Sequence, residues 1–155
     1  MQLQRDTDYA LRILYLIGSR DLYETDAGAG MTLKKICKQS RLPRVTANRI
    51  CGHLENAGFL VKRHTPDDET LYAPGPDLSR KTLLDVFILI DRGVDLFAVF
   101  DKNGAIYKAL NKGGWNAQAR LEKTWAGVTL GDFWATLKEI YQQDGGYAAK
   151  PRQRL

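Results

Sequence analysis

Ten residues in the first half of the chain have types and spacing suited to a polyanion: Lys34, Lys35, Lys38, Arg44, Val45, Thr46, Asn48, Arg49, Arg63 and His64. The cations suit phosphate oxygens, an attraction that carries no sequence information. Arg49 has the fork that matches guanine in a major groove. Asn48 has the amide that matches adenine, and Thr46 or Val45 offers an apolar edge to a thymine methyl. Asn48 could equally be a solvated helix residue, and both readings stand. Catalysis is a poorer match. The chain has two histidines and shows no metal-ligand cluster, no glycine-rich phosphate loop and no nucleophile–base constellation, so an enzyme is not expected.

Charge segregation supports the polyanion reading. Residues 31–63 hold eight Lys/Arg and one acid, Glu55, a local charge of +7. The whole chain carries +5, so the remainder is net negative. A concentrated positive face is the electrostatic footprint of a nucleic-acid binder, although a solvated basic face on a helical hairpin has the same composition.

Two short amphipathic helices must position these side chains. Leu33, Ile36 and Cys37 form one apolar face; Ala47, Ile50, Cys51 and Leu54 form the other, both at three-to-four spacing. Between them lies Ser40-Arg41-Leu42-Pro43, where proline suits the first position after a turn. This is a helix-turn-helix pattern. Gly58 closes the second helix. A hairpin follows: Phe59 to Arg63, a tip at His64–Glu69 with Pro66-Asp67-Asp68 turn chemistry, and a return over Thr70–Ala73. A helix-turn-helix followed by a hairpin is a winged helix. Three acids at the tip would be repelled by phosphates, which limits the wing to a contact at Arg63 and His64.

Upstream, Ala10, Ile13, Leu14 and Ile17 share a helical face widened by Leu11 and Leu16, with Asp6 or Thr7 as its cap. Arg5 and Arg12 could meet phosphates or water. Residues 19–30 read as a loop. Downstream, Pro74-Gly75-Pro76 ends the unit. Ser79 is expected to cap a helix reaching Arg92, where Gly93 stops it; its middle, Val86–Ile90, reads as buried. Asn103-Gly104 reads as a turn. A helical stretch spans about 105–126, with Gly113-Gly114 as a candidate interruption and Ala117, Leu121 and Trp125 on one face. Thr129 with Asp132 has the capping-box pattern for a last helix presenting Leu130, Phe133, Trp134 and Leu137.

The fold class is therefore mainly α with a small β-hairpin wing: a winged helix-turn-helix plus a long C-terminal dimerisation helix. The domain reading is 1–76 for DNA binding, 77–145 for dimerisation or sensing, and 146–155 as a disordered basic tail. The Trp- and Leu-rich later helix packs either on its own domain or on a second copy; the copy is favoured, since helix-turn-helix proteins commonly bind paired half-sites as two-fold dimers. The expected partners are double-stranded DNA and a second copy of the chain. Neither a charged-then-apolar leader nor an 18-residue apolar run is present, which leads to a cytoplasmic, non-membrane expectation.

Several stretches together resemble one family. Met1-Gln2-Leu3 with Thr7-Asp8-Tyr9-Ala10-Leu11-Arg12, the basic helix-turn-helix, Leu54-Glu55-Asn56-Ala57-Gly58-Phe59-Leu60 and Thr129-Leu130-Gly131-Asp132-Phe133 are similar to the IscR/NsrR/CymR family of winged-helix transcriptional regulators (the Rrf two family). The resemblance implies a homodimer, paired through the long helix after the wing, that binds operator DNA, usually as a repressor. It also exposes two departures. Iron–sulfur members carry three cysteines at about residues 92–108, whereas this chain has none after Cys51. Asp8 matches the acid that completes the cluster in nitric-oxide-sensing members, but thiolates hold such clusters, so no cysteine-ligated cluster is expected. The other departure is the acidic wing tip in place of glycines, which is also the best support for a protein-interaction module built on the same scaffold. The signal stays open between a small molecule, a partner protein and thiol oxidation at Cys37 or Cys51; both thiols sit on apolar faces, where burial is the more ordinary role.

Overall fold

The apolar spacing of residues 10–17 is the axis on which the other helices pack. The computed structural model describes residues 5–23, 30–92, 101–112 and 116–143. Helix α1 (Arg5–Tyr23) buries Ala10, Ile13, Leu14, Leu16 and Ile17 in one core with residues from α2, α3 and the later helices. Neither expected cap acts as one. Thr7 is fully buried inside the helix and donates its hydroxyl to Asp91 Oδ2 at 2.5 Å, while Asp6 turns to α3. The helix also runs past Gly18, so residues 19–23 are helix and not loop; residues 24–29 lie outside the described residues. Gly18 does not stop the helix because its role is spatial. A Cβ there would lie 2.2 Å from the Trp134 ring, so the missing side chain is the seat for an indole.

A two-residue strand, β1 (Met31–Thr32), pairs antiparallel with β3 (Thr70–Pro74), which pairs in turn with β2 (Leu60–His64), giving the order β1-β3-β2. Met31 faces Tyr72 and Lys62 faces Tyr72 from the other side. Two residues are too few to show a period, and β1 was not expected. The hairpin was, within a residue at its ends. Its tip holds Asp68 at φ 61°, the left-handed conformation that a glycine would adopt more readily, closed by Thr65 N–H to Glu69 O at 2.9 Å.

Beyond the wing, a single 3-10 turn (Leu78–Arg80) precedes α4 (Leu83–Asp91). Thr82, not Ser79, caps α4. Its hydroxyl accepts from Asp85 N–H at 3.2 Å and the Asp85 carboxylate accepts from Thr82 N–H at 2.8 Å, a reciprocal pair that Ser79 has no acid positioned to make. Arg92 in the left-handed conformation ends α4 one residue before Gly93; residues 93–100 are outside the described set. Val86 and Phe87 are buried as expected, but Ile88 is 53% exposed.

The stretch 105–126 divides into α5 (Ala105–Leu110) and α6 (Ala117–Ala126), with residues 113–115 not described. The expected Asn103-Gly104 turn is present, with Gly104 N–H donating to Asp101 O at 2.9 Å. Helix α7 (Leu130–Gln143) begins at the expected capping box, Thr129 with Asp132. The two capping threonines, Thr82 and Thr129, meet in an antiparallel bridge, which ties the starts of α4 and α7 together. Leu130 and Trp134 anchor α7 in the core. The expected tail, 146–155, lies outside the described residues.

Candidate nucleic-acid interface

The site is built by α2 (Leu33–Ser40), α3 (Arg44–Asn56) and the wing. Thr32 starts α2 by accepting a hydrogen bond from Lys35 N–H at 3.2 Å. Arg41, at φ 58°, ends it in the left-handed conformation. Buried Leu42 plugs the turn, and Pro43 precedes α3 at φ −59° and ψ 145° without a side-chain cap. Ala47, Ile50, Cys51 and Leu54 are all at most 1% exposed, so the face of α3 opposite them is fixed outward.

That outward face holds most of the expected residues. Arg44, Val45, Asn48 and Arg49 are exposed and Thr46 is half-buried; Val45, at 81% exposed, offers a branched apolar surface to solvent at the first turn of the helix. The α3 start has no acidic residue in its first turn. Its partial positive charge therefore adds to the basic side chains. On α2, Lys34, Lys35 and Lys38 are exposed, and on the wing so are Arg63 and His64. Lys62 instead lies over the Tyr72 ring at 5.9 Å. Such a face can neutralise phosphates and present donors and a methyl edge to bases.

Arg49 is tied to a carboxylate of α1. Its two terminal nitrogens bond both carboxylate oxygens of Asp6, at 2.7 and 3.1 Å. The guanidinium hydrogen bond holds the Asp6 carboxyl below the usual carboxylate range, and the same bond raises Arg49 further. No sequence signal points to this pairing, because nothing local connects a residue on α1 to one 43 positions later. Arg12, left open between phosphate and water, pairs with Asp8 at 2.6 Å and lies over the Tyr9 ring.

The thiols separate by environment. Cys51 is fully buried, and burial, followed by the proximity of Cys37, pushes its thiol up to about 12. At neutral pH it is therefore protonated and a poor nucleophile. Cys37 is half-buried.

The donor set does not fit a cysteine-ligated cluster. Both cysteines belong to the helix-turn-helix, no cysteine follows position 51, and Asp8 is engaged with Arg12. Among the described residues, no group of three or more His, Cys, Asp or Glu side chains could hold a metal ion, and no helix is long and apolar enough to cross a membrane.

No protein-family model matches the chain, and no curated protein matches it in sequence. Solved structures do match in fold. CymR, the global cysteine regulator of B. subtilis, superposes with a TM-score of 0.65 at 14% identity, covering 88% of this chain and 98% of that one. A transcriptional regulator from Listeria innocua gives 0.68 at 18% identity, covering 87% of each chain. T. potens IscR gives 0.61 at 12% identity over 99% of this chain and 94% of that one. The chain thus has the fold of the regulators that its sequence resembles.

Proposed function

We propose that this chain is a DNA-binding transcriptional regulator that inserts α3 into the major groove. The observation that carries the reading is the outward face of α3: Arg44, Val45 and Asn48 stand exposed opposite a fully buried stripe, flanked by Lys34, Lys35 and Lys38 of α2. A helix presented this way, N-terminal half foremost, is the recognition geometry of helix-turn-helix proteins. The lysines set register on the phosphates, and Arg44, Val45, Thr46, Asn48 and Arg49 meet base edges. Arg63 and His64 add a wing contact, which the acids at positions 67–69 keep shallow.

The regulator acts as a two-fold dimer on a palindromic operator, in the manner of a repressor. The support is apolar surface outside the winged unit: Ile88, Ile106 and Ile140 are 53%, 68% and 45% exposed on α4, α5 and α7. Selection of bound duplexes from a random pool tests the reading. Enrichment of an inverted repeat with half-sites one helical turn apart, or a multiple of it, supports it. Failure to enrich any sequence, or enrichment that survives Arg44→Ala with Asn48→Ala, contradicts it.

A further inference from the structure

The Asp6–Arg49 pair sits on the face just assigned to DNA, yet a carboxylate there opposes phosphate binding. We infer that Asp6 is a positioning residue for base recognition: it holds the Arg49 guanidinium in one orientation, so that the remaining edge of its fork reads a base. The inference rests on the DNA reading above.

Three observations separate this role from a tether between helices. First, the pair is exposed, with side-chain accessibilities of 47% for Arg49 and 30% for Asp6, and exposed pairs contribute little to stability. Helices α1 and α3 are already joined through Ala10, Ile13, Ala47, Ile50 and Leu54 in one buried core. Second, the pair is neutral as a unit. It adds nothing to the long-range attraction that Lys34, Lys35, Lys38 and Arg44 supply, so its use at this face is directional. Third, Arg49 lies one helical turn after Val45 on the same outward stripe, the stripe that the DNA reading directs at base edges.

The geometry leaves Arg49 competent. Asp6 bonds the two terminal nitrogens, which occupies only part of a guanidinium's rigid fork of donors. The edge that includes Nε stays open and matches the paired acceptors O6 and N7 of guanine. A long side chain fixed in advance loses less rotamer freedom on binding, and a misplaced base then meets a donor pair that cannot swing away to a phosphate. Asp6→Asn keeps the shape and removes the charge. Arg49→Lys keeps the charge and removes the fork.

The test compares wild type, Asp6→Asn and Arg49→Lys in parallel selections from random duplexes, followed by titrations of selected and unselected duplexes at several salt concentrations. Wild type enriches guanine at one position in each half-site. Both variants lose that preference by roughly fivefold or more, within the range that one bidentate base contact provides, while their melting temperatures stay within a few degrees of wild type. Asp6→Asn binds unselected duplex more tightly, and its slope of log affinity against log salt steepens by about 0.9, the signature of one more phosphate neutralised. The Arg49→Lys slope is unchanged. A preserved guanine preference in Asp6→Asn overturns the inference, whether affinity stays the same (a tether) or rises equally for both duplexes (a brake on binding). A wild-type chain that enriches no sequence overturns the DNA reading, and this inference with it.

Discussion

The winged unit and the helices that follow it bury their apolar residues to different degrees. In the first, α1, α2, α3 and the sheet each contribute fully buried side chains, from Ala10 and Ile13 through Ile36 and Ile50 to Leu60 and Tyr72. In the second, α5 and α6 have no buried residue. Helix α6 leans on the core through half-buried Leu121 and Trp125, the latter edge-on to Phe87 at 5.7 Å, and Ile106 of α5 is 68% exposed. The winged unit shares its core with α4 and α7 through Leu83, Val86, Phe87, Leu130 and Trp134. Helices α5 and α6 leave apolar surface uncovered, the surface that the proposed dimer would use. Helix α7 is the joint between the two, because Trp134 closes on Gly18 while Ile140 stays 45% exposed.

Breaking that joint should have the largest effect. Trp134→Ala empties the site over Gly18 and is expected to cost about 3–5 kcal/mol in chemical denaturation. A loss under 1 kcal/mol would mean that α7 is not part of the core. Next is Thr7→Val. It keeps the shape but takes the hydroxyl from Asp91, whose other oxygen is buried without a partner among the described residues. A hydrogen bond to a charged group is worth about 1.5–3 kcal/mol, and a loss in that range is expected; an unchanged melting midpoint would show that the α1–α4 contact does not depend on it.

Ile106→Asp should leave the folding of each chain nearly untouched, since the side chain already faces solvent, but should split the proposed dimer. Light scattering at micromolar concentration should give about twice the 17.5 kDa chain mass for wild type and the single-chain mass for the variant. A wild-type monomer would refute the contrast drawn between the two regions. The smallest effect is expected at Asp6. Its carboxyl titrates below the usual range in the folded chain, so the stability it adds is present above the ordinary carboxylate pKa and is lost as pH falls through the depressed value. The pair is exposed, so its removal in Asp6→Asn should change stability by no more than about 1 kcal/mol at pH 7, and the difference from wild type should vanish in strong acid.

The same contrast explains how much was legible in the sequence. The helix-turn-helix was readable because Ala47, Ile50, Cys51 and Leu54 repeat with the period of the helix, and because Pro43 and Gly58 punctuate it. The Thr129–Asp132 box was readable because both partners lie within one turn. What escaped depends on residues far apart. Gly18 reads locally as a helix end and becomes, beside Trp134, a packing site. Thr7 reads as a cap and becomes a buried donor to a residue 84 positions away. Strand β1 exists because β3 pairs with it. Ser79 lost to Thr82 for a local reason that the spacing did contain, since only Thr82 has an acid three residues on. All ten candidate site residues are exposed or half-buried, and Arg49 is claimed by Asp6.

The central claim is that the face made by α2 and α3 binds duplex DNA through its phosphates, and the salt dependence of affinity tests it most directly. The triple variant Lys34→Gln, Lys35→Gln, Lys38→Gln removes three exposed charges from α2 and leaves the buried face of that helix intact. Wild type should bind duplex DNA with log affinity falling linearly in log salt, and the variant's slope should be shallower by up to about 0.9 for each lysine that meets a phosphate. Absence of duplex binding at low salt, or an identical slope in the triple variant, would contradict the account.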